Sequence, residues 1–266
     1  MGKIIGVCNQ KGGTGKTTTA INLSSYLGLA NKDTLIIDMD PQGNATSGLG
    51  IKEDTLAAKS IYDVLIENAS VEESIVDSSW PNLSAVPSNI ALTGAEIELV
   101  NMADREKRLR YSLEAVKKKF SYIIIDAPPS LGLLTVNVLC AADTVIVPIQ
   151  CEYYALEGMS KLLNTIDLIR ERLNPLLDIE GVLLTMADFR TRLTLQVIEE
   201  VKKFFKEKTF NTIIPRNIKL AEAPSFGKPI YFYDSFCVGA KAYLNLTEEL
   251  LQEKIDILVA LQKGGI

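Results

Sequence analysis

The feature that most constrains this chain is a glycine-rich loop close to its beginning. Residues 8–19 read CNQKGGTGKTTT, after a short apolar run at 3–8 and before an apolar-periodic segment at 20–27. A strand, a glycine-rich turn and a helix in this order form a phosphate-binding loop, in which backbone N–H groups and the helix N-terminus surround the oxyanion. The pattern predicts that Lys16 reaches the β- and γ-phosphates of a nucleotide and that the Thr17 hydroxyl binds Mg²⁺.

The loop departs from the general phosphate-loop pattern at its first position, where Gln10 stands in place of a glycine. An additional lysine, Lys11, follows it. A glycine-rich turn before an ordinary helix would explain the glycines, but not the lysine and three threonines that come after Gly15. We therefore predict nucleotide contacts along the whole loop, from Lys11, Gly12, Gly13, Thr14, Gly15, Lys16, Thr17 and Thr18.

The string K-G-G-x-G-K-T-T resembles the deviant Walker A loop of the ParA/MinD/iron-protein ATPases. The resemblance implies that Lys11 is the signature lysine of that family. In the family this lysine reaches across a nucleotide-sandwich dimer to the partner's phosphates, as an arginine finger supplied in trans does. Lys11 and Lys16 are therefore both catalytic candidates.

Two hydrophobic runs end in aspartates. Residues 34–38 read TLIID and residues 122–126 read YIIID. Because open α/β sheets bind ligands at the carboxyl ends of their strands, we expect these carboxylates beside the phosphate loop. Asp126 has the Walker B arrangement, which predicts that it faces Mg²⁺ through coordinated water. Asp38 is predicted to support the loop that follows it.

Asp40 lies two residues beyond the first of these runs. We predict that it orients an attacking water or binds Mg²⁺ through water, so that Thr17, Asp40 and Asp126 are the metal candidates. Taken alone, an Asx turn and helix cap explain Asp40-Pro41 equally well. The segment D-x-D-P-Q-G-N-A-T also resembles the second motif of ParA/Soj proteins, which implies that Asp40 is the catalytic residue of hydrolysis.

Two later segments extend this resemblance. QCEYYALEG at 150–158 resembles the ParA/Soj segment near the dimer interface, which implies that Glu152 meets the partner's nucleotide; a plain helix cap explains it equally well. Residues 215–229, PRNIKLAEAPSFGKP, resemble a diagnostic ParA/Soj block. The resemblance implies that Pro215 and Asn217 lie near the adenine and that nearby basic residues bind DNA.

Charge is distributed unevenly along the chain. The formal net charge is −5, yet residues 188–228 hold nine Lys and Arg against five Asp and Glu, a local balance of +4 that leaves −9 elsewhere. Such asymmetry marks a nucleic-acid face or arises by chance. The candidates for DNA contact are Arg190, Arg192, Arg216, Lys219 and Lys228. The alternative for each of them is a role as an ordinary solvated cation or as a cation beside the nucleotide.

Composition removes several rival functions. The chain has no histidine, which excludes histidine-based catalysis and most zinc chemistry, whereas phosphoryl transfer needs neither. Its four cysteines are scattered without a C-x-x-C pair, as expected of buried thiols in a reducing cytoplasm. No apolar run reaches the roughly 18 residues of a transmembrane helix, and the chain starts directly on a predicted strand, so we expect no signal peptide.

The alternation of strands and helices predicts the fold. At least six strand-like runs separated by helical segments predict a doubly wound, mostly parallel P-loop NTPase sheet with helices on both faces. The predicted elements include helices over 94–119 (one or two), 155–172, 195–207 and 239–263, and a strand over 210–215. We expect residues 1–266 to form a single ParA-type ATPase domain without an N-terminal helix-turn-helix extension.

The resemblance covers nearly the whole chain and implies an ATP-dependent DNA segregation ATPase. In that function a homodimer holding ATP and Mg²⁺ binds double-stranded DNA without sequence preference. A ParB-type centromere-binding partner stimulates the hydrolysis that releases the DNA. We expect a cytoplasmic, nucleoid-associated protein.

Three other functions of the superfamily remain open. A MinD-like membrane-positioning ATPase needs a basic amphipathic C-terminal helix, and this C-terminus is rich in glutamate, so no membrane contact is expected. A nitrogenase-type iron protein needs cluster-binding thiolates, and Cys140 and Cys151 lack the family surroundings. A phosphotransfer enzyme acting on a small molecule would use the same loop.

Overall fold

The computed structural model describes residues 2–51, 59–152 and 157–257, and a seven-stranded sheet lies at the centre of this part of the chain. Across the sheet the strands follow the order β3-β4-β2-β5-β1-β6-β7. Every pairing is parallel except that of β3 with β4. The predicted mostly parallel, doubly wound sheet is confirmed. The strands are β1 (Lys3–Val7), β2 (Thr34–Asp38), β3 (Val76–Asp77), β4 (Leu83–Val86), β5 (Tyr122–Asp126), β6 (Thr144–Gln150) and β7 (Asp178–Thr185).

Hydrophobic runs form the central strands because both faces of the sheet are covered. Successive residues of β5 belong to opposite cores: Ile123 and Ile125 pack on one side, and Ile124 packs on the other. A strand buried on both faces has no polar side and reads as a continuous apolar run. The helices are α1 (Lys16–Leu29), α2 (Asn44–Gly48), α3 (Ile61–Leu65), α4 (Val71–Ser74), α5 (Leu92–Leu99), α6 (Arg108–Leu113), α7 (Leu133–Ala141), α8 (Glu157–Arg172), α9 (Arg192–Phe205), α10 (Ile218–Glu222), α11 (Ile230–Asp234) and α12 (Val238–Leu251).

The register of the central strands positions the candidate site. Strand β5 pairs with β1 so that Asp126 lies opposite Val7, and with β2 so that Asp126 lies opposite Asp38. The phosphate loop leaves β1 directly after Val7. The loop and both strand-end aspartates therefore meet at one edge of the sheet, as predicted from the chain.

The prediction of a regular strand over 210–215 is wrong. This segment runs beside β7 but forms only isolated bridges at its two ends, between Thr209 and Val182 and between Pro215 and Ala187. Between the bridges, the backbone N–H groups of residues 211 and 212 donate to the Glu249 carboxylate on α12, at 2.6 and 2.9 Å. The ladder is interrupted because the segment advances four residues, from 210 to 214, while its acceptors on β7 advance only from 182 to 184. Glu249 accepts two of the N–H groups that this break leaves unpaired with β7.

Several helix limits also differ from the prediction. Residues 94–119 hold two short helices, α5 and α6, and two apolar residues of this segment, Ile97 and Val100, are 76% and 50% exposed. Helix α9 begins at Arg192 rather than 195 because the Thr191 hydroxyl accepts the N–H of Thr194 and caps it. Helix α12 ends at Leu251, where the chain turns through a left-handed residue.

Parts of two helix predictions, residues 155–156 and 258–263, lie outside the described residues. Within the described ranges, no helix is long and apolar enough to cross a membrane. Three of the four cysteines, Cys8, Cys140 and Cys151, are buried, and Cys237 is partly exposed.

Candidate nucleotide-binding site

The glycine-rich loop wraps around the start of α1. Gly13 and Gly15 have φ angles of +72° and +88°, a left-handed conformation that residues with a Cβ rarely adopt. Gly15 is the N-cap residue of α1, and the first turn of this helix carries no acidic side chain. No acidic side chain of this turn therefore neutralises the N–H groups and the positive end of the helix dipole, and this favours a bound anion.

Side chains from neighbouring strands hold the loop in place. The Thr185 hydroxyl at the end of β7 donates to the Thr14 carbonyl at 2.8 Å, and Asn9 donates to the Pro148 carbonyl of β6 at 2.7 Å. Within the loop, the Lys16 ammonium donates to the Lys11 carbonyl at 3.2 Å. Burial lowers the pKa of Lys16, and the Asp126 charge opposes that shift. Lys16 is thus folded back over the loop where phosphate oxygens would lie.

Two connected cavities open from the loop. The first, of about 520 Å³, is lined mainly by polar and backbone groups: Gly12, Gly13, Gly15, Lys16, Thr17, Thr18, Ile21, Asp40, Asn44, Ser47, Pro129, Met186, Pro224 and Ser225. We call it the phosphate compartment. The second, of about 300 Å³, is mostly apolar and is lined by Gly15, Thr18, Thr185, Met186, Ile214, Pro215, Arg216, Asn217, Ile218, Leu220, Ala221 and Tyr243. We call it the base compartment.

The two compartments share Gly15, Thr18 and Met186 as walls. A chamber lined by lysine, threonine and aspartate beside a mostly apolar chamber matches a ligand with a charged chain on a planar ring. The structure brings six of the eight predicted loop residues to the first chamber and Pro215 and Asn217 to the second. Lys11 and Thr14 line neither chamber, and Thr14 is buried. Asn217 also caps α10 by accepting the N–H of Leu220 at 3.3 Å.

Asp38 holds the segment that follows β2. One of its carboxylate oxygens accepts the N–H of Asp40 at 3.1 Å, and the other accepts the N–H and hydroxyl of Thr46 at 2.8 and 2.7 Å. Burial raises the pKa of Asp38 to about 6, although the hydrogen bonds from Thr46 and Asp40 oppose that shift. Its contacts fit the supporting role predicted for it.

Asp40 lies in the wall of the phosphate compartment. One of its oxygens accepts the N–H of Gln42 at 3.0 Å, which is the Asx turn that the sequence left open as an alternative. The turn and the position in the cavity coexist, because the turn uses one oxygen of the carboxylate. The metal and catalytic roles of Asp40 stay predictions.

Asp126 is completely buried, and neither of its carboxylate oxygens has a partner of good hydrogen-bond geometry within the described part of the chain, although the Thr17 hydroxyl lies close enough to lower its pKa. Burial, reinforced by the negative charge of Asp38, raises its pKa well above the usual range, while the nearby Thr17 hydroxyl and Lys16 ammonium oppose the shift. A buried carboxylate without partners beside a threonine hydroxyl fits a cation.

These residues fit magnesium rather than a metal held by protein alone. Among the described residues, no group of three or more Cys, Asp or Glu side chains is arranged to hold an ion. Mg²⁺ in nucleotide sites uses one or two protein oxygens together with substrate phosphates and water, so it needs no such cluster. Thr17 and Asp126 supply that kind of partial set.

Lys11 does not line the phosphate compartment. Its ammonium lies 3.4 Å from the Glu152 carboxylate, which is also 3.9 Å from the Arg216 guanidinium. Glu152 lines neither compartment. The structure thus brings together three predicted site residues that are far apart in the sequence.

The five DNA-contact candidates are all at the surface or partly exposed. Arg190 forms an ion pair with Asp188 at 2.7 Å, which lowers the pKa of Asp188 to about 2. Lys219 pairs with Glu222 at 3.0 Å and lies over the ring of Tyr233. The side chain of Arg216 is 62% exposed, and Arg192 and Lys228 are exposed.

Several residues that line the site were not predicted from the sequence, and two of them, Met186 and Tyr243, are informative. Met186 separates the compartments with a φ of +52°, uncommon for a residue with a side chain. Its place directly after β7, at the ligand-binding edge, was the available signal. Tyr243 of α12 is buried against the base compartment, and its hydroxyl lies 3.1 Å from that of Thr19 on α1. Nothing local in the sequence marks Tyr243, because only the packing of α12 on α1 brings it there.

Comparison with known proteins agrees with this geometry. Residues 2–179 match a protein family described as an AAA domain. The sporulation initiation inhibitor protein Soj of Bacillus subtilis is 56% identical over 250 residues, 94% of this chain and 98% of that protein. The chromosome partitioning protein ParA of Myxococcus xanthus is 53% identical over 252 residues, 95% of this chain and 89% of that protein.

A solved structure adds a ligand-bound relative. Cobyrinic acid a,c-diamide synthase from Mycobacterium smegmatis, with a bound ATP analogue and magnesium, has a TM-score of 0.81 and 33% sequence identity, and the match covers 100% of this chain and 98% of that one.

Proposed function

Because the chain belongs to the Soj/ParA family of partitioning ATPases, we propose that it segregates DNA through an ATP-controlled dimer. The protein is a magnesium-dependent ATPase with a P-loop fold. The observation that carries the proposal furthest is the partnerless, buried carboxylate of Asp126 next to Lys16 and Thr17. Such a group is costly in a folded protein unless a cation uses it.

ATP occupies the two compartments in this proposal. The loop N–H groups and the Lys16 ammonium hold the phosphates, and Pro215 and Asn217 border the base. Thr17 and Asp126 hold magnesium, with Asp40 close by; the ion, when bound, neutralises charge on the phosphate oxygens. Asp40 orients the water that attacks the γ-phosphate, through the carboxylate oxygen that its Asx turn leaves unused.

Lys11 acts on the second protomer. Its side chain is 38% exposed, and its ammonium contacts Glu152, which lines neither compartment. A lysine supplied in trans stabilises charge on transferring phosphate oxygens as an arginine finger does. Binding of ATP therefore favours a sandwich dimer, and hydrolysis dissolves it.

The dimer binds double-stranded DNA without reading its sequence. The candidate contacts are Arg190, Arg192, Arg216, Lys219 and Lys228, and none of them is buried. Dimerisation joins two copies of this face, which raises the number of phosphates contacted at once. The protein is then a nucleoid-bound, cytoplasmic single-domain ATPase whose hydrolysis is stimulated by a ParB-type centromere-binding partner.

A reaction on a small molecule is the second candidate, favoured by the structural neighbour named as a diamide synthase. That neighbour shares 33% identity with this chain, whereas Soj of Bacillus subtilis shares 56% over nearly the same length. The higher identity favours partitioning, and the DNA experiment distinguishes the two.

The proposal is tested by binding to random-sequence duplex DNA over a salt series. We expect negligible binding with ADP, and tight, steeply salt-dependent binding when an Asp40→Ala variant is given ATP, because that variant cannot leave the ATP state. Attachment to anionic liposomes instead of DNA would favour a membrane-positioning ATPase. Absence of both, with ATP hydrolysis intact, would contradict the DNA role and favour the small-molecule reaction.

A further inference from the structure

Lys11, Glu152 and Arg216 contact one another, but only Arg216 lines a nucleotide compartment, so nucleotide binding within a single protomer does not explain the contacts of Glu152. We propose that Glu152 is a positioning residue that holds Lys11 and Arg216 within one protomer, and so keeps the ATPase monomeric and weakly bound to DNA until ATP binds. This inference rests on the proposed function, since it assigns Lys11 to the partner's phosphates and Arg216 to DNA.

Neighbouring strands bring the three residues together. Lys11 follows β1 and Glu152 follows β6, at positions 141 residues apart in the chain. Arg216 is fixed beside β7 because its N–H donates to the Ala187 carbonyl at 3.0 Å. Since β1, β6 and β7 are adjacent in the sheet, their carboxyl ends deliver one anion between two cations.

The carboxylate is oriented for this double contact. One oxygen of Glu152 accepts from the Gln150 side-chain amide at 2.5 Å and lies 3.9 Å from Arg216. The other oxygen lies 3.4 Å from the Lys11 ammonium. Gln150 therefore holds Glu152, and Glu152 faces both cations at once.

The contacts are weak enough to open. The side chains of Lys11, Glu152 and Arg216 are 38%, 47% and 62% exposed. Exposed ion pairs of this kind change an equilibrium by up to about fivefold. The phosphates of a nucleotide carry several charges, so a partner's bound ATP outcompetes a single carboxylate for Lys11, whereas ADP-bound protomers leave the pair intact.

One carboxylate thereby links dimerisation to DNA binding. While Glu152 pairs with both cations, it lowers the positive charge available to the partner's nucleotide and to DNA phosphates. The partner's nucleotide has to displace this carboxylate from Lys11, and DNA phosphates have to displace it from Arg216, so the same charge opposes both steps. This coupling needs no movement of the strands.

Glu152→Gln tests the inference, because it removes the charge and keeps the size and the neighbouring amide contact. We expect the ATP concentration for half-maximal dimerisation, measured by sedimentation, to fall two- to fivefold. We also expect DNA affinity in the ADP state to rise by a similar factor, with the thermal midpoint unchanged.

Glu222→Gln is the matched control. Glu222 is a similarly exposed carboxylate that pairs with the DNA candidate Lys219 and with the Tyr233 hydroxyl, but does not contact Lys11. We expect Glu222→Gln to raise DNA affinity without changing the ATP dependence of dimerisation. If both variants shift dimerisation equally, the effect is general charge and the inference is wrong.

Two further results separate this inference from the proposed function. A higher ATP requirement in Glu152→Gln would overturn the inference and assign Glu152 to the partner's nucleotide. An unchanged ATP requirement would also overturn it, while leaving the dimer mechanism standing. If wild-type protein does not dimerise with ATP at all, the proposed function fails and this inference fails with it.

In an Arg216→Ala background, we expect Glu152→Gln to lose its effect on DNA binding.

Discussion

At the scale of single residues, the carboxyl group of Asp126 combines complete burial with two oxygens that accept no hydrogen bond in the described part of the chain. Removing a carboxylate from water without partners is unfavourable, and the raised pKa reports that cost. Groups of this kind concentrate at functional sites, where a ligand supplies the missing partner.

Asp126→Asn is expected to stabilise the nucleotide-free protein while removing magnesium-dependent ATP hydrolysis. An amide avoids the buried charge, so the free energy of unfolding at pH 7.5 should rise by about 1–3 kcal/mol. Urea denaturation and phosphate release measure the two effects. A loss of stability together with normal hydrolysis would show that the carboxylate has no metal role.

The raised pKa of Asp38 predicts how the stability of the protein depends on pH. Its pKa is raised to about 6 in the folded protein, against about 3.9 in an unfolded chain. Protonation therefore favours the folded state, and this contribution, on the order of 3 kcal/mol, is lost as the pH rises from about 4 to about 6. Magnesium binding needs the charged carboxylates, so the thermal shift produced by Mg-ATP should be larger at pH 7.5 than at pH 5. ATP with a chelator is the control, and a shift that decreases with pH would contradict the assignment.

The two loop lysines should separate binding from dimerisation. Lys16→Ala removes the cation of the phosphate compartment, and each charge-assisted hydrogen bond lost costs about 1.5–3 kcal/mol, so ATP affinity should fall at least tenfold. Lys11→Ala should keep ATP affinity within about twofold and lose ATP-driven dimerisation. Calorimetry and sedimentation give the two quantities. Dimerisation of Lys11→Ala with ATP would remove the role in trans, whereas normal hydrolysis by Lys16→Ala would remove the nucleotide site itself.

At the scale of elements, α1 approaches the loop before β4 so closely that no side chain fits between them. A Cβ on Gly28 would lie 2.2 Å from the Pro81 carbonyl oxygen, and Asn82 donates to the Gly28 carbonyl at 3.0 Å. The helix that begins at the phosphate loop is thereby fixed at its other end. Its position determines where the N-terminus faces the ligand.

Gly28→Ala should destabilise the protein by about 1–3 kcal/mol, because backbone must move to accept the methyl group. Gly94→Ala in α5 is the control: its Cβ would meet only the end of the flexible Glu98 side chain, and alanine favours a helix by up to about 1 kcal/mol. Denaturation midpoints of the two variants should therefore move in opposite directions. Equal midpoints would mean that the close approach of α1 has no energetic consequence.

The Glu249 carboxylate ties α12 to the irregular segment at 209–215, which continues into the base compartment at Ile214 and Pro215. Glu249→Ala leaves two backbone N–H groups without their partner, at a cost of about 1–3 kcal/mol. We expect faster hydrogen exchange at residues 211 and 212 and weaker ATP binding. Glu253→Ala, which removes only an exposed pair with Lys32, should change neither. Unchanged exchange in Glu249→Ala would contradict the role of this contact.

At the scale of the whole molecule, the proposed function requires an acidic protein to bind an acidic polymer. The net charge of −5 opposes DNA binding, and only the uneven distribution of charge provides a positive face. Because these two effects oppose each other, we expect a single protomer to bind DNA weakly. A dimer would join two positive faces and bind more tightly, so dimerisation would switch DNA binding on.

The salt dependence of DNA binding measures that switch. Each phosphate contact contributes about 0.9 to the slope of log K against log salt, so removing one contact per protomer lowers the slope of a dimer by about 2. Arg216→Ala and Lys228→Ala should each have this effect with ATP. Glu200→Gln removes a negative charge from α9 instead of a positive one. It should leave the slope equal to that of the wild-type protein within experimental error. A slope unchanged by the arginine variant would remove Arg216 from the DNA face.

The sequence by itself determined the sheet edge and the nucleotide loop. Strands buried on both faces read as apolar runs, and parallel strands end at one edge, so the positions of Lys16, Asp38 and Asp126 followed from local patterns. The glycine conformations at 13 and 15 followed from the same loop. These features depend on short segments and on the regularity of a parallel sheet.

Only the tertiary structure decided which distant side chains meet. The contact of Lys11 with Glu152 and Arg216 depends on the order of β1, β6 and β7, and the interruption of the 209–215 segment depends on Glu249 from α12. The exposure of Ile97 and Val100 likewise depends on what packs beside α5. Local periodicity reports that a face is apolar, but only the assembled neighbours determine whether that face is covered.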